Sequence, residues 1–219
     1  DAAYSDDARR VTGLTAGYTV AIDAHDLQLN VRHDDYSDFG GHTTGLLGYG
    51  YRLTPAVRVS ATVSSAFRAP TFNELYGPYG SNPALDPERA RSVEAGLTYS
   101  GALGLARATA FMTRTDDLIN FVPPSWTATN VDRAENRGIE LSWNGKLAGL
   151  DARSAITFQN PEDKSTGLGL LRRADRFGSV SFGQARGAFD WRAEVLAAGP
   201  HADVHATTYS RVVVPGYAV

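Results

Sequence analysis

Along most of the chain, apolar and polar residues alternate with a period of two. Leu14, Ala16, Tyr18, Val20 and Ile22 are apolar, while Thr15, Gly17, Thr19 and Ala21 between them are small or polar. After His25-Asp26 the pattern resumes, with Leu27, Leu29 and Val31 set against Gln28, Asn30 and Arg32. It recurs at Val57–Ser64, Val93–Ser100, Ile139–Asn144 and Phe189–Val195. Successive side chains of an extended strand point to opposite faces, so each run predicts a strand with one apolar face. Read to its end, the chain predicts about eleven strands, most of about ten residues. The one competing helical signal is weak and sits at Pro87–Arg91, where Glu88 follows Pro87 as at the start of a helical turn.

A soluble sandwich also alternates, so the connections decide between architectures. Short turns are expected at His25-Asp26, Thr54-Pro55-Ala56, Gly101–Gly104, Ala148-Gly149-Leu150 and Gly187-Ala188. Longer loops are expected near Ser37–His42, Ala69–Glu88, Val122–Asn136, Asn160–Leu170 and Gly199–Thr208. Short turns alternating with long loops predict an antiparallel up-and-down transmembrane β-barrel. Beside the short turns, on the apolar parity, stand Tyr49, Tyr51, Tyr99, Trp143, Phe189 and Trp191, the pattern of an aromatic girdle at a membrane boundary. The other parity carries Arg58, Glu94, Arg107, Glu140, Arg192 and Glu194. Charges repeated on an inward face require a wet interior and hence a wide barrel.

Composition narrows the function. Of the 219 residues, 42% are hydrophobic and 21% charged, and no run reaches the roughly 18 unbroken apolar residues of a spanning helix. A barrel strand needs only about 9–11 residues, half of them facing lipid, so this does not argue against a membrane. There are no cysteines, which excludes disulfides, thiolate zinc sites and thiol catalysis. A net charge of −3 gives no support to a nucleic-acid partner. Asp1 is not a natural start, and the chain is expected to begin after an omitted segment and to end at Val219 in mid-strand.

Three segments then resemble one family. Ser65-Ala66-Phe67-Arg68-Ala69-Pro70-Thr71-Phe72-Asn73-Glu74-Leu75-Tyr76 looks like a strand end and loop start of TonB-dependent receptors. Asn82-Pro83-Ala84-Leu85-Asp86-Pro87-Glu88 is similar to the NPxLxPE element of those receptors, and Asn136-Arg137-Gly138-Ile139-Glu140 to their xxxGxE strand start. Pro70 cannot donate to a ladder and is expected to end a strand, while Gly138 suits a bend or bulge. The resemblance implies a partial barrel of about eleven strands out of about 22, with the plug domain and the first and last strands absent. It further implies a monomeric receptor in outer-membrane lipid that captures a small molecule and is driven by the TonB complex through an N-terminal segment absent here.

Within that family, Leu75-Tyr76-Gly77-Pro78-Tyr79-Gly80-Ser81-Asn82-Pro83 and Leu170-Leu171-Arg172-Arg173-Ala174 are most similar to the cobalamin transporters. This resemblance carries a substrate-site role to Arg172, or to Arg173 in a shifted register; the structural alternative is a strand cap or an ion pair with Asp175. Tyr76, Tyr79 and Trp126 are further ligand-contact candidates. Calcium in extracellular loops is a feature of the same relatives, in a part of the barrel not found here, so no cofactor is expected in this chain. Ferric-siderophore receptors share the general motifs.

The remaining polar groups carry less. His33-Asp34-Asp35 reads as a solvated strand end, and His201 and His205 lie four apart without a helical pattern to bring them together. Asp116-Asp117 and Glu162-Asp163 lack a partner base or an apolar pocket, so an enzyme is not expected. A passive porin would need a charge-lined constricting loop, and a barrel enzyme a rim pair involving residues such as His42 or His201.

Overall fold

A computed structural model describes residues 8–122 and 125–219. Strands β1 (Val11–Ile22), β2 (His25–Tyr36), β3 (Gly40–Arg52) and β4 (Val57–Arg68) are followed by the short helix α1 (Phe72–Tyr76). Then come β5 (Glu88–Gly101), β6 (Gly104–Val122), β7 (Thr127–Leu147), β8 (Leu150–Asp163), β9 (Arg176–Arg186) and β10 (Phe189–Ala198). The chain closes with β11 (His201–Val204), β12 (Arg211–Val214) and β13 (Tyr217–Ala218). β1 to β10 pair antiparallel in chain order and β13 adds to β10, giving one 11-stranded meander; β11 and β12 form a separate hairpin. The all-β expectation and its strand number therefore hold for the main sheet.

The register aligns the two parities across the whole sheet. Leu29, Leu47, Val63, Val93 and Met112 face one another in successive strands along one row. The adjacent row runs Asn30, Leu46, Ser64, Ser92, Thr113 and Asn136 on the opposite face. A one-residue slip would exchange the faces, so the alternation itself fixes the pairing. The apolar face is uncovered by protein: Leu14 is 76% exposed, Ile22 62% and Val93 52%. Such a continuous apolar surface needs lipid as its solvent.

The turn-side aromatics share that face. Across β2 and β3, His25 opposes Tyr51 and Leu27 opposes Tyr49, and the Tyr49 hydroxyl shares a 2.6 Å hydrogen bond with His25 Nδ1. Trp143 donates from Nε1 to the Leu103 carbonyl at 2.8 Å, tying the ring to the neighbouring turn.

Several boundaries depart from the sequence expectation. The first turn is Asp23-Ala24, two residues before His25-Asp26; Asp23 takes φ 53°, a conformation its short polar side chain tolerates. The loop expected at Ser37–His42 shrinks to three residues between β2 and β3, because Gly40 at φ 71° closes a tight hairpin and Tyr36 already pairs with it. The loop expected over Val122–Asn136 is mostly strand: β6 has 19 residues and β7 21, and their ladder extends to Val122↔Thr127. Pro123 and Pro124 lie outside the described residues. β8 likewise runs past Asn160 to Asp163.

The helical turn expected at Pro87–Arg91 is the start of β5, and the helix is α1, upstream. α1 is set by a capping box in which Thr71 accepts from the Glu74 amide and the Glu74 carboxylate accepts from the Thr71 amide. Gly138 makes no bulge, since pairing through it is regular. A Cβ there would collide with the Phe158 carbonyl and lie 2.8 Å from Phe111 Cζ, so glycine is needed for the close approach of the facing Phe111 ring. Pro70 does follow a strand end, and it is fully buried.

Candidate functional site

A buried apolar cluster lies at the long-loop end. Leu75, Leu85, Ile119 and Ala128 form one cluster, with Phe39, Tyr76 and Phe121 packed against it. This places α1 and the segment after it against the β6–β7 extension. Arg68, the last residue of β4, reaches both sides of the long β4–β5 loop. It donates from Nη1 to Glu74 Oε2 at 3.0 Å, from Nε to Glu88 Oε2 at 2.8 Å and from Nη2 to Glu88 Oε1 at 2.5 Å. Glu88 Oε1 also accepts from the Ile119 amide at 2.8 Å.

Thus the arginine of the first family segment, the glutamate of its helix and the glutamate of NPxLxPE form one clamp. Burial alone would raise the Glu74 carboxyl pKa. The hydrogen bonds from Arg68 and from Thr71 outweigh that, and hold it below the ordinary glutamate value.

The rest of NPxLxPE is equally occupied. Asn82 donates from Nδ2 to the Ala128 carbonyl at 3.0 Å and accepts at Oδ1 from the Ala84 amide at 2.9 Å. The Asp86 amide donates to Asn130 Oδ1, and Asn130 Nδ2 donates to the Asp86 and Asp117 carbonyls. The motif is therefore an anchor that fastens the loop to the β6–β7 extension.

On this anchored base sit the residues expected to meet a ligand. Tyr76 belongs to the packed cluster beneath the loop and stacks near Phe72, centroids 6.4 Å apart. Tyr79 projects from the loop and is 84% exposed. Trp126, at φ 52°, meets Tyr209 edge-on at 6.0 Å, and its carbonyl closes on Gly80, leaving no space there for a Cβ. Arg172, at φ 59°, lies in the β8–β9 loop, donates from Nε to Asp203 Oδ1 at 3.0 Å and from its amide to the Ala202 carbonyl at 2.7 Å. Its ion-pair partner is Asp203 on β11 and not Asp175. The Val204 amide and the Arg172 guanidinium together hold the Asp203 carboxyl below its ordinary pKa.

The β11–β12 hairpin thus links separate loops. Its turn carries Tyr209 against Trp126, its strand β11 carries Asp203 against Arg172, and Arg211 donates from Nη2 to the Gly169 carbonyl at 2.6 Å. Tyr209, Asp203 and Arg211 escaped the sequence reading because nothing in a short polar segment signals a docked hairpin.

Behind Arg172 and Arg173 lies a cavity of about 720 Å³ against the inner wall, lined also by Asn136, Thr157, Gln159 and Phe177. Asn136 donates from Nδ2 to Gln159 Oε1 at 2.9 Å, while its Oδ1 is buried without a partner among the described residues. A cavity with a largely apolar wall, an unfilled acceptor and exposed arginines at its edge suits a small molecule that carries both apolar and polar groups. Tyr76, Tyr79 and Trp126 do not line it; they occupy the neighbouring loop rim.

No metal set is assembled among the described residues. The acid pairs are committed elsewhere: Asp116 to Arg133, Glu162 to Lys164, and Asp163 to the Ser165–Thr166 turn. Asp34 pairs with Arg32 across from the face that carries His33 and Asp35. His42 stacks on Phe67 at 3.6 Å and lies on β3, whereas His201 begins β11.

The comparisons with known proteins agree with this architecture. The chain is 34% identical over 159 residues to the vitamin B12 transporter BtuB of Vibrio vulnificus, covering 70% of the chain and 26% of that protein. It is 31% identical over 201 residues to BtuB of Photobacterium profundum, covering 89% of the chain and 33% of that protein. The chain therefore spans a third or less of these relatives.

Among solved structures, the ferric enterobactin receptor PfeA of Pseudomonas aeruginosa superposes with a TM-score of 0.77 at 19% identity, covering 96% of this chain and 36% of that one. The copper transporter OprC gives 0.78 at 18% identity, covering 96% and 38%. These likenesses establish the fold. The profile described as "TonB dependent receptor-like, beta-barrel" matches residues 1–219. The chain belongs to the TonB-dependent receptor β-barrel family.

Proposed function

We propose that this chain is part of the barrel of an outer-membrane receptor that actively imports cobalamin, with TonB supplying the drive through a segment outside this chain. The observation that carries a plugged transporter is the inner wall. Glu94, Arg107, Glu140, Arg192 and Glu194 all face inward, and none has an ion-pair partner among the described residues. Charges in that state require water or a polar insert across the lumen. Cobalamin is favoured over a siderophore by the two vitamin B12 transporters, at 34% and 31% identity, against 19% for the enterobactin receptor. The cavity under Arg172 would hold part of the ligand, with Tyr79 and Trp126 on the rim above.

The test is binding of cyanocobalamin and a panel of ferric siderophores to the full-length receptor in detergent. Saturable cobalamin binding is expected. Tight siderophore binding with no detectable cobalamin binding would overturn the substrate assignment. A passive porin is the alternative, and electrical recordings separate it: the receptor should show no steady open conductance.

A further inference from the structure

On the apolar face, the register places a band of arginines directly above the lipid-facing residues of β5–β9. Arg91 lies two residues beyond Val93, Arg137 two beyond Ile139, and Arg176 faces Phe158 across β8–β9. Val93, Ile139 and Phe158 are exposed apolar side chains, so Arg91 and Arg137 stand one outward step, about 7 Å, from the edge of the apolar surface, and Arg176 stands level with Phe158 at that edge.

Their positions follow the strand tilt. Arg91 lies in the row of Arg114 and Glu135, Arg137 one step lower in the row of Met112, and Arg176 lower again in the row of Phe158 and Ile139. Hydrogen-bonded rows of a tilted barrel sheet run obliquely to the membrane plane, so a steady shift of this kind keeps one depth.

The charges on this face do not balance internally. The acids are Asp116, Glu135 and Glu162, held respectively by Arg133 at 3.1 Å, Arg114 at 2.8 Å and Lys164 at 3.0 Å. Arg91, Arg137 and Arg176 are exposed and have no ion pair among the described residues. Arg91 moreover directly opposes Arg114, with Ser65 on its other side. Like charges facing across strands destabilise a sheet unless an anion lies between them.

We infer that Arg91, Arg137 and Arg176 form a binding belt for the phosphorylated headgroup of an outer-leaflet lipid. The apolar surface below takes the acyl chains and the guanidiniums take the phosphates, in the fork geometry that arginine offers to such oxygens. The inference rests on the outer-membrane placement of the barrel and is independent of which nutrient is imported.

The test titrates the detergent-solubilised full-length receptor with bisphosphorylated lipid A, with its enzymatically dephosphorylated form and with inorganic phosphate, reading bound lipid by native mass spectrometry. The phosphorylated lipid should bind at least tenfold more tightly than the dephosphorylated one, and inorganic phosphate alone should not compete at equal concentration. The triple variant Arg91→Gln, Arg137→Gln, Arg176→Gln should weaken it about 100-fold. The inward-facing control Arg107→Gln, Arg153→Gln should stay within twofold. Equal binding of both lipid forms by the unaltered receptor, or competition by inorganic phosphate alone, would overturn the proposal without requiring that any variant fold. So would a folded triple variant that binds within twofold. Cobalamin binding, measured on the same samples, separates this failure from failure of the substrate assignment.

Discussion

Replacing Arg68 by alanine tests whether the family motifs are an anchor. The change strips both Glu74 and Glu88 of their cation, and their side chains are only 12% and 13% exposed. Loss of one partner from a fully buried ion pair costs about 3–5 kcal/mol, and loss of an exposed pair about 0–1 kcal/mol. The Arg68 side chain is 41% exposed, so an intermediate figure applies, about 2 kcal/mol for the loop as a unit. That corresponds to about a 30-fold rise in the population of the opened loop.

The assay is native-state hydrogen exchange on the full-length receptor. It follows the amides of Asn82, which donates to the Glu74 carbonyl at 2.8 Å, and Ile119, which donates to Glu88. Both should lose protection by about the same factor, with Arg68→Lys intermediate because it keeps the charge but not the fork. The pH dependence has a definite sign. The Glu74 pKa is depressed in the folded state, so its contribution is complete above the ordinary glutamate value of about 4.3 and is lost as pH falls from there through the depressed value. Opening should therefore rise in acid and stay flat through neutral pH. Exchange of Asn82 and Ile119 within twofold of the unaltered protein would refute the clamp.

Other consequences are as direct. Arg172→Ala should weaken cyanocobalamin binding by about tenfold or more, as for loss of a charge-assisted hydrogen bond, while Asp203→Asn, which frees the hairpin but keeps the arginine, should cost under about threefold; affinity within twofold for Arg172→Ala ends its assigned role. Ala108 and Thr109 are neighbours on opposite faces of β6, opposite Leu97 and Gly96 respectively. Ala108→Arg should cost about 2–4 kcal/mol in lipid vesicles and Thr109→Arg far less, and equal costs in equilibrium unfolding would invalidate the face assignment. Gly138→Ala should cost about 1–3 kcal/mol or more, because the Cβ meets the Phe158 carbonyl, a backbone atom that cannot step aside; an unchanged urea midpoint would contradict the close packing.

The lipid-contacting part of the sheet could be read directly because one solvent is apolar there. Leu29, Leu47, Val63 and Val93 must all be apolar, so parity marks both strand and face. Beyond the lipid, water reaches both faces and the mark disappears. Around Asp116–Asn120 and Thr127–Arg133 polar residues occupy both parities, so the β6–β7 extension read as a loop although its ladder continues. α1 carried a legible signal in Thr71-Phe72-Asn73-Glu74, but five residues are too few for a helical period. At the rim, Arg172 was reachable only through family resemblance. Its partner Asp203 lies 31 residues away, and no local pattern joins them.

The unbroken chain order of the sheet also bears on how the wall is built. From β1 to β9 every strand pairs only with its neighbours in the chain, so no pairing in this stretch has to wait for a distant segment. Within this stretch the largest sequence gap bridged between paired strands is the β4–β5 loop, and that gap carries its own capped helix and ionic clamp. Contacts close in sequence cost little loop-closure entropy and form early. The wall can therefore lengthen one hairpin at a time, with each newly completed strand templating the next.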